Sequence, residues 1–247
     1  PQRPFKPAPN SFSDQVSTYP ESLQQIIGHG IFKLIDYQDQ GYAELYLERL
    51  NTILELDNGV SYRLTEEVAK RLAIWMTFED VMRVAQLKTR TGRLSRIRDE
   101  LGVDKETPLR LTDYFKPGRD EFIGILPPYL SWIIPDWKKL ERGKGLALHI
   151  PTGSAVGFGL LKTLASLKFL RRKSRQYGEE QENMAKWLNA IKEAVKIDYD
   201  LACRTAQLSI LARGYGNVRR NGQEILTDLF MNWNNNLALD PDKISAE

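Results

Sequence analysis

The sequence predicts a mainly α protein: an irregular multi-helix domain with a Pro-rich middle segment and room in that segment for a small strand pair. Three observations carry this expectation. Long segments on both sides of the middle place apolar residues at the period of an α-helix. The middle, from about residue 102 to 150, holds Pro108, Pro117, Pro127, Pro128 and Pro135, which cut it into pieces too short for long helices. With 247 residues and 42% hydrophobic content, the chain can bury a substantial core.

The chain opens on PQRPFKPAPN, a proline-rich composition that reads as a linker. Residues 1–19 are therefore expected to be a linker from a preceding α/β domain, 20–240 a single helical domain, and 241–247 a tail. The first helical segment shows Ile31, Leu34, Ile35, Leu45, Leu47 and Leu50 at helical spacing, as two helices meeting near Gly41 or one kinked helix. In RLTEEVAKRLAIWMTFEDVMRVAQLKTR, Thr65 stands at an N-cap position, Glu66 and Glu67 fall in the first turn, and Val68, Leu72, Trp75 and Met82 form one stripe. Helical register continues past Gly92 with Lys88, Arg90, Arg93, Arg96 and Arg98 clustered.

In the middle, PLRLTDYFKP reads as a strand or extended arm, ILPPYLSWIIPDW as short helices and GLALHI as a strand. Beyond Pro151, the runs GFGLLKTLASLKFLRRKSRQYG and EEQENMAKWLNAIKEAVKIDYDLACRTAQLSILARGYG read as two long helices, and a last helix covers about residues 222 to 236.

Charge and composition narrow the function classes. The 35 basic and 32 acidic side chains leave a formal charge of +3, without the concentrated positive field of a dedicated nucleic-acid binder. One cysteine, Cys203, cannot form an internal disulfide. Together with His29 and His149 it supplies too few soft ligands for an iron–sulfur cluster held by this chain alone. No apolar run reaches the length of a membrane span and no signal-peptide pattern opens the chain, so a reduced, cytoplasmic setting is expected.

Short motifs give little chemistry. LARGYGNVRRNG, residues 211 to 222, departs from the dinucleotide pattern G-x-G-x-x-G because Arg219 stands where the third glycine belongs. It reads instead as a helix end in which Gly214 or Gly216 supplies a positive φ, with Arg213 near the negative end of the dipole. HIPTGSAVGFGLLKT lacks the P-loop spacing, since Lys162 and Thr163 do not directly follow Gly159, and it reads as a capped turn. NWNNN lacks the Gly-Asp-Gly of a thiamine-diphosphate motif. Asp36, Asp39, Asp198 and Asp200 form no recognisable acid–base set, and Cys203 reads as packing.

The basic clusters remain. Lys168, Arg171, Arg172, Lys173 and Arg175 share a segment with Leu164, Leu167 and Leu170 and are expected on a solvated helix face, with a basic membrane contact the weaker reading. Anion or interface candidates are Lys88, Arg90, Arg93, Arg171, Arg172, Lys173, Tyr215, Arg219 and Arg220. No catalytic, cofactor-binding or metal-ligating residue is expected.

Five stretches carry a resemblance: LIDYQDQGYAELYLERL (34–50), LTEEVAKRLAIWMTFEDVMRVAQLKTR (64–90), LRLTDYFKPGRDEFIGILP (109–127), LKFLRRKSRQYGEEQENMAKWL (167–188) and DYDLACRTAQLSILARGYGNVRRNG (198–222). In this order they resemble the C-terminal extension of the long-form beta subunit of bacterial indolepyruvate oxidoreductase, a thiamine-diphosphate-dependent 2-oxoacid:acceptor oxidoreductase. The resemblance implies a parent complex that oxidatively decarboxylates indolepyruvate and related aryl pyruvates to arylacetyl-coenzyme A, passing electrons to a carrier such as ferredoxin. It also implies that thiamine diphosphate, magnesium and iron–sulfur clusters belong to the partner alpha subunit, and that this chain is not catalytic by itself. The partners it implies are that alpha subunit and the N-terminal α/β domain of the same chain; nucleic acid is not expected. The alternative is a domain that binds coenzyme A or another anion through its basic clusters.

Overall fold

The structure, a computed structural model, describes residues 9–57, 61–104, 106–107, 109–115, 124, 127, 148–214 and 216–233. It is mainly α with one two-stranded antiparallel sheet, the fold class expected from the sequence. The chain divides into two compact units, one joining the described residues up to Phe78 with those from Glu180 onward, the other Glu79–Glu179.

The first unit begins with a short helix α1 (Ser13–Ser17), followed by α2 (Glu21–Tyr37), α3 (Gln40–Leu54) and α4 (Arg63–Met76). Leu23, Ile27, Ile31 and Leu34 recur along one side of α2 and are all buried, so the helix is held by its apolar stripe rather than by propensity. Of the two expected arrangements the first is found: two separate helices meet near Gly41, with the break at Gln38–Asp39. Asp39 is extended, with φ −165°, and its carboxylate accepts the Tyr42 N–H at 2.9 Å, so the cap sets the break and Gly41 falls inside α3.

Thr65 does not cap α4. The N-cap is Tyr62, in the left-handed region at φ 50°, and Asp57 from the preceding turn accepts both the Thr65 N–H at 2.8 Å and its hydroxyl at 2.7 Å. The helix expected to run through residue 90 stops at Met76, because Asp80 caps a new helix, α5 (Val81–Lys88), by accepting the Arg83 N–H at 2.6 Å. A third helix, α6 (Arg93–Leu101), starts after Gly92 at φ 82° and ends at Gly102 at φ 64°.

In the second unit, β1 (Asp113–Phe115) pairs antiparallel with β2 (Leu148–Ile150), with Tyr114 opposite His149. Both strands lie where the sequence placed them. Of ILPPYLSWIIPDW, all but Pro127 lies outside the described residues. Ser154 then caps α7 (Ala155–Ser166), accepting the Gly157 N–H at 3.1 Å. Both long helices expected beyond Pro151 are interrupted. After α7 comes a 3-10 segment, Leu167–Lys173, then α8 (Arg175–Val195), which crosses the division between the units.

Asp198 opens α9 (Tyr199–Gln207) by accepting the Leu201 N–H at 2.7 Å, and a second 3-10 segment, Leu208–Ala212, follows. The last helix, α10, runs Gly216–Met231, starting well before the expected residue 222. The core of the first unit is aromatic as well as aliphatic. Trp75 of α4 and Trp187 of α8 lie with ring centroids 5.5 Å apart, and the Trp187 indole N–H donates to the Thr205 carbonyl at 3.1 Å. Among the described residues no helix is long and apolar enough to cross a membrane.

Candidate functional site

The stretch LARGYGNVRRNG closes one helical segment and opens the next. Gly214, at φ 109°, follows the 3-10 segment Leu208–Ala212 and takes the positive φ, whereas Gly216 is the first residue of α10. Tyr215 lies outside the described residues. Arg219 therefore stands in the first turn of a helix, the electropositive end, where a cation is disfavoured unless a carboxylate faces it.

That carboxylate is Glu180. It sits 1% exposed on α8 and accepts from three donors: the Trp75 indole N–H at 2.6 Å on one oxygen, and Arg219 and Gln223 on the other. The Arg219 guanidinium also lies 5.5 Å from the centroid of Phe78. A buried charge costs several kcal/mol unless it is paired and hydrogen-bonded, and here the pairing joins α4, α8 and α10. The neighbour of Glu180 in the chain, Gln181, donates to the Tyr42 hydroxyl at 3.1 Å and accepts from Arg49 at 2.8 Å, while Tyr42 donates to the Met76 carbonyl at 2.9 Å. Segments 34–50, 64–90, 167–188 and 198–222 are thus stitched by polar side chains that they supply to one another.

In the second unit the candidate cations also meet carboxylates. Arg171 is fully buried (0% exposed) and grips Asp80, the cap of α5, with its Nη2 3.1 Å from Oδ1 and its Nε on Oδ2. The expected solvated basic face is corrected here: its central arginine is a core side chain, because the Asp80 carboxylate must be neutralised where it caps α5. Arg172 and Lys173, by contrast, are exposed.

Lys88 and Arg93 converge on Asp113. The lysine reaches it at 2.7 Å and the arginine holds both oxygens at 2.9 Å, while the Thr152 hydroxyl donates at 2.7 Å. Burial pushes the Asp113 carboxyl up, but the hydrogen bonds from Lys88, Arg93 and Thr152 and the Arg93 charge outweigh it and hold the group below the usual carboxylate range. Two cations around one carboxylate leave a local excess of positive charge. Arg90, between them in sequence, is exposed; Arg220, beside Arg219, is half-buried.

The remaining polar groups have structural work. Asp39 and Asp198 are helix caps, and Asp200 pairs with Arg63 at 3.0 Å on the surface. His149 packs its ring 4.6 Å from Tyr114. Cys203 is buried on α9, and burial pushes its thiol up, away from the reactive thiolate. Among the described residues no group of three or more His, Cys, Asp or Glu converges in a way that could hold a metal ion. Sequence reasoning missed Asp80, Asp113 and Glu180, the carboxylates on which the candidate cations close. The only available signal was an Asp before the apolar stripe of α5, which marks a cap.

What these features define is a mainly α fold held in part by buried charge pairs. Residues 23–229 match DUF6537, a family of unknown function, and the chain belongs to that family. No curated protein and no solved structure matches the chain.

Proposed function

We propose that the chain is an accessory domain of the beta subunit of a thiamine-diphosphate-dependent indolepyruvate oxidoreductase, acting in assembly or in access to the active site rather than in bond making. The observation that supports this reading is the use made of the charged side chains in the resembling stretches. Arg49, Glu180, Arg219, Asp80, Arg171 and Asp113 are all engaged in holding helices and the strand pair in place. A chain whose buried charges fix geometry behaves as a scaffold.

Thiamine diphosphate, magnesium and iron–sulfur clusters belong, in this proposal, to the alpha subunit, and the complex works in the cytoplasm. The test is indolepyruvate-dependent reduction of a low-potential electron acceptor by the full protein with its partner subunit, in the presence of coenzyme A. Turnover with indolepyruvate supports the assignment; no turnover with any aryl pyruvate opposes it.

The second reading, coenzyme A or anion binding, is favoured by one feature, the excess positive charge where Lys88 and Arg93 share Asp113. A phosphate would compete with Asp113 for the same donors. Calorimetric titration with coenzyme A separates the two readings: saturable heat that Arg93→Met abolishes favours binding, and no heat removes it.

A further inference from the structure

The buried carboxylates Asp80, Asp113 and Glu180 all close on cations, but their charges do not balance alike. Asp80 meets one cation, Arg171, and Glu180 meets one, Arg219. Asp113 meets two, Lys88 and Arg93, and among the described residues no other carboxylate pairs with either of them. This cluster alone of the three keeps one positive charge in excess. The excess stands beside buried groups, where it acts more strongly than in open water.

Hydrogen-bond donors are in excess as well. Asp113 accepts twice on each oxygen: Lys88 Nζ at 2.7 Å and Arg93 Nη2 at 2.9 Å on Oδ1, Arg93 Nη1 at 2.9 Å and the Thr152 hydroxyl at 2.7 Å on Oδ2. That fills the acceptor capacity of a carboxylate. Arg93 uses three of its N–H groups, two on Asp113 and one on the Lys88 carbonyl at 3.2 Å, and keeps its Nε–H and the second N–H of Nη2. The Lys88 ammonium uses one N–H and keeps the rest.

The spare donors lie together. Asp113 is gripped by the end of the guanidinium, so the unused Nε–H and Nη2 N–H form its side edge, a second fork of the kind that takes two oxygens of an oxyanion. The Nε–H meets no acceptor among the described residues, yet the atom is not sealed from solvent. Lys88 binds the same Asp113 oxygen as Nη2, which puts its ammonium on the side of that free edge. Its side chain is 37% exposed, so the group is reached from outside. A carboxylate held by the fork has no oxygen left for Lys88, whereas a phosphate offers a third.

We propose that the free edge of Arg93 and the Lys88 ammonium form a site for the phosphate group of a phosphorylated small molecule, bound beside Asp113 rather than in its place; the inference rests on the anion-binding reading given above and on no part of the oxidoreductase assignment. A phosphate there meets the charge that Asp113 leaves over. Asp113 keeps its own donors, so β1 and the turn at Thr152 stay tied as they are when the site fills.

The experiment titrates the nitrogen-labelled protein with inorganic phosphate against chloride at constant pH and ionic strength, following the arginine Nε–H signals by NMR, with the phosphorus signal of phosphate as the readout for variants. The expected result is a saturable shift of one Nε–H signal, the one missing from Arg93→Lys. Lys88→Gln leaves the Arg93–Asp113 fork in place and should unfold at the wild-type temperature while binding phosphate about tenfold more weakly, as for one lost hydrogen bond to a charged group. Arg93→Lys keeps the charge and loses the fork, and should weaken binding by about tenfold as well. No shift at the Arg93 signal, or wild-type affinity in either variant, overturns the site. Coenzyme A heat that Arg93→Met abolishes, with phosphate silent, also overturns it but leaves the anion-binding reading standing. Phosphate binding without coenzyme A heat supports the site and removes coenzyme A as the source of the phosphate, and silence from both removes the site and the reading together.

Discussion

Glu180 is a buried carboxylate whose loss has a large expected consequence for stability. Removing one member of a buried, hydrogen-bonded charge pair leaves the other without compensation, which typically costs about 3–5 kcal/mol. Glu180→Ala is therefore expected to destabilise the protein by about 3 kcal/mol, and Glu180→Gln by less, because the amide oxygen still accepts from Trp75. Urea denaturation followed by tryptophan fluorescence reads both, since Trp75 donates to Glu180 and packs on Trp187. Equal stability of wild type and Glu180→Ala would contradict the role assigned to the pair.

Asp113 adds a pH dependence of definite sign. Its carboxyl is held below its ordinary value, so the folded state binds that proton more weakly than the unfolded state does. The stability it contributes is present above the unfolded carboxylate range and is lost as pH falls through the folded value. Asp113→Asn should lower stability at neutral pH and flatten the acid limb of the stability–pH curve. A curve of unchanged shape counts against the assignment. Neither Glu180 nor Asp113 was legible in the sequence: Arg219 and Glu180 are 39 residues apart, and Lys88 and Asp113 are 25 apart. Composition shows that cations are present, and only the fold shows which carboxylate each one meets.

At the scale of elements, the positions of helices were legible and their interruptions were not. Apolar periodicity marks α2, α3, α4 and α8 because each buries a stripe, and the strand pair falls in PLRLTDYFKP and GLALHI, short pieces of the Pro-cut middle read as a strand or extended arm and as a strand. The breaks at Asp80 and Asp198 follow from capping side chains that also fit a helix interior by pattern alone. Asp198→Ala should cost about 1 kcal/mol, the usual value for a lost N-cap. Gly222 gives a sharper test. A Cβ there would lie 2.0 Å from the Leu211 carbonyl oxygen, so α10 packs backbone to backbone on the 3-10 segment before it. Gly222→Ala should cost about 3 kcal/mol through forced displacement, although alanine is the better helix former. Thermal unfolding of the two variants checks both values, and a Gly222→Ala protein as stable as wild type would contradict the packing of α10.

For the whole molecule, the fold class was legible because a long chain rich in helical periodicity and broken by prolines has few other solutions. The site was less so. Lys88, Arg93, Arg171 and Arg219 were picked out as cations with anions to meet, and each closes on a carboxylate of its own chain. These four cations thus help to hold the fold, which is what the proposed accessory role draws on. The most direct measurement takes the oxidoreductase proposed above and compares it with a version lacking residues 20–240, scoring both association with the proposed thiamine-diphosphate subunit and turnover of indolepyruvate. The account predicts that the deletion loses association, or keeps association and loses turnover; a deleted protein that assembles and turns over like the intact one would contradict it.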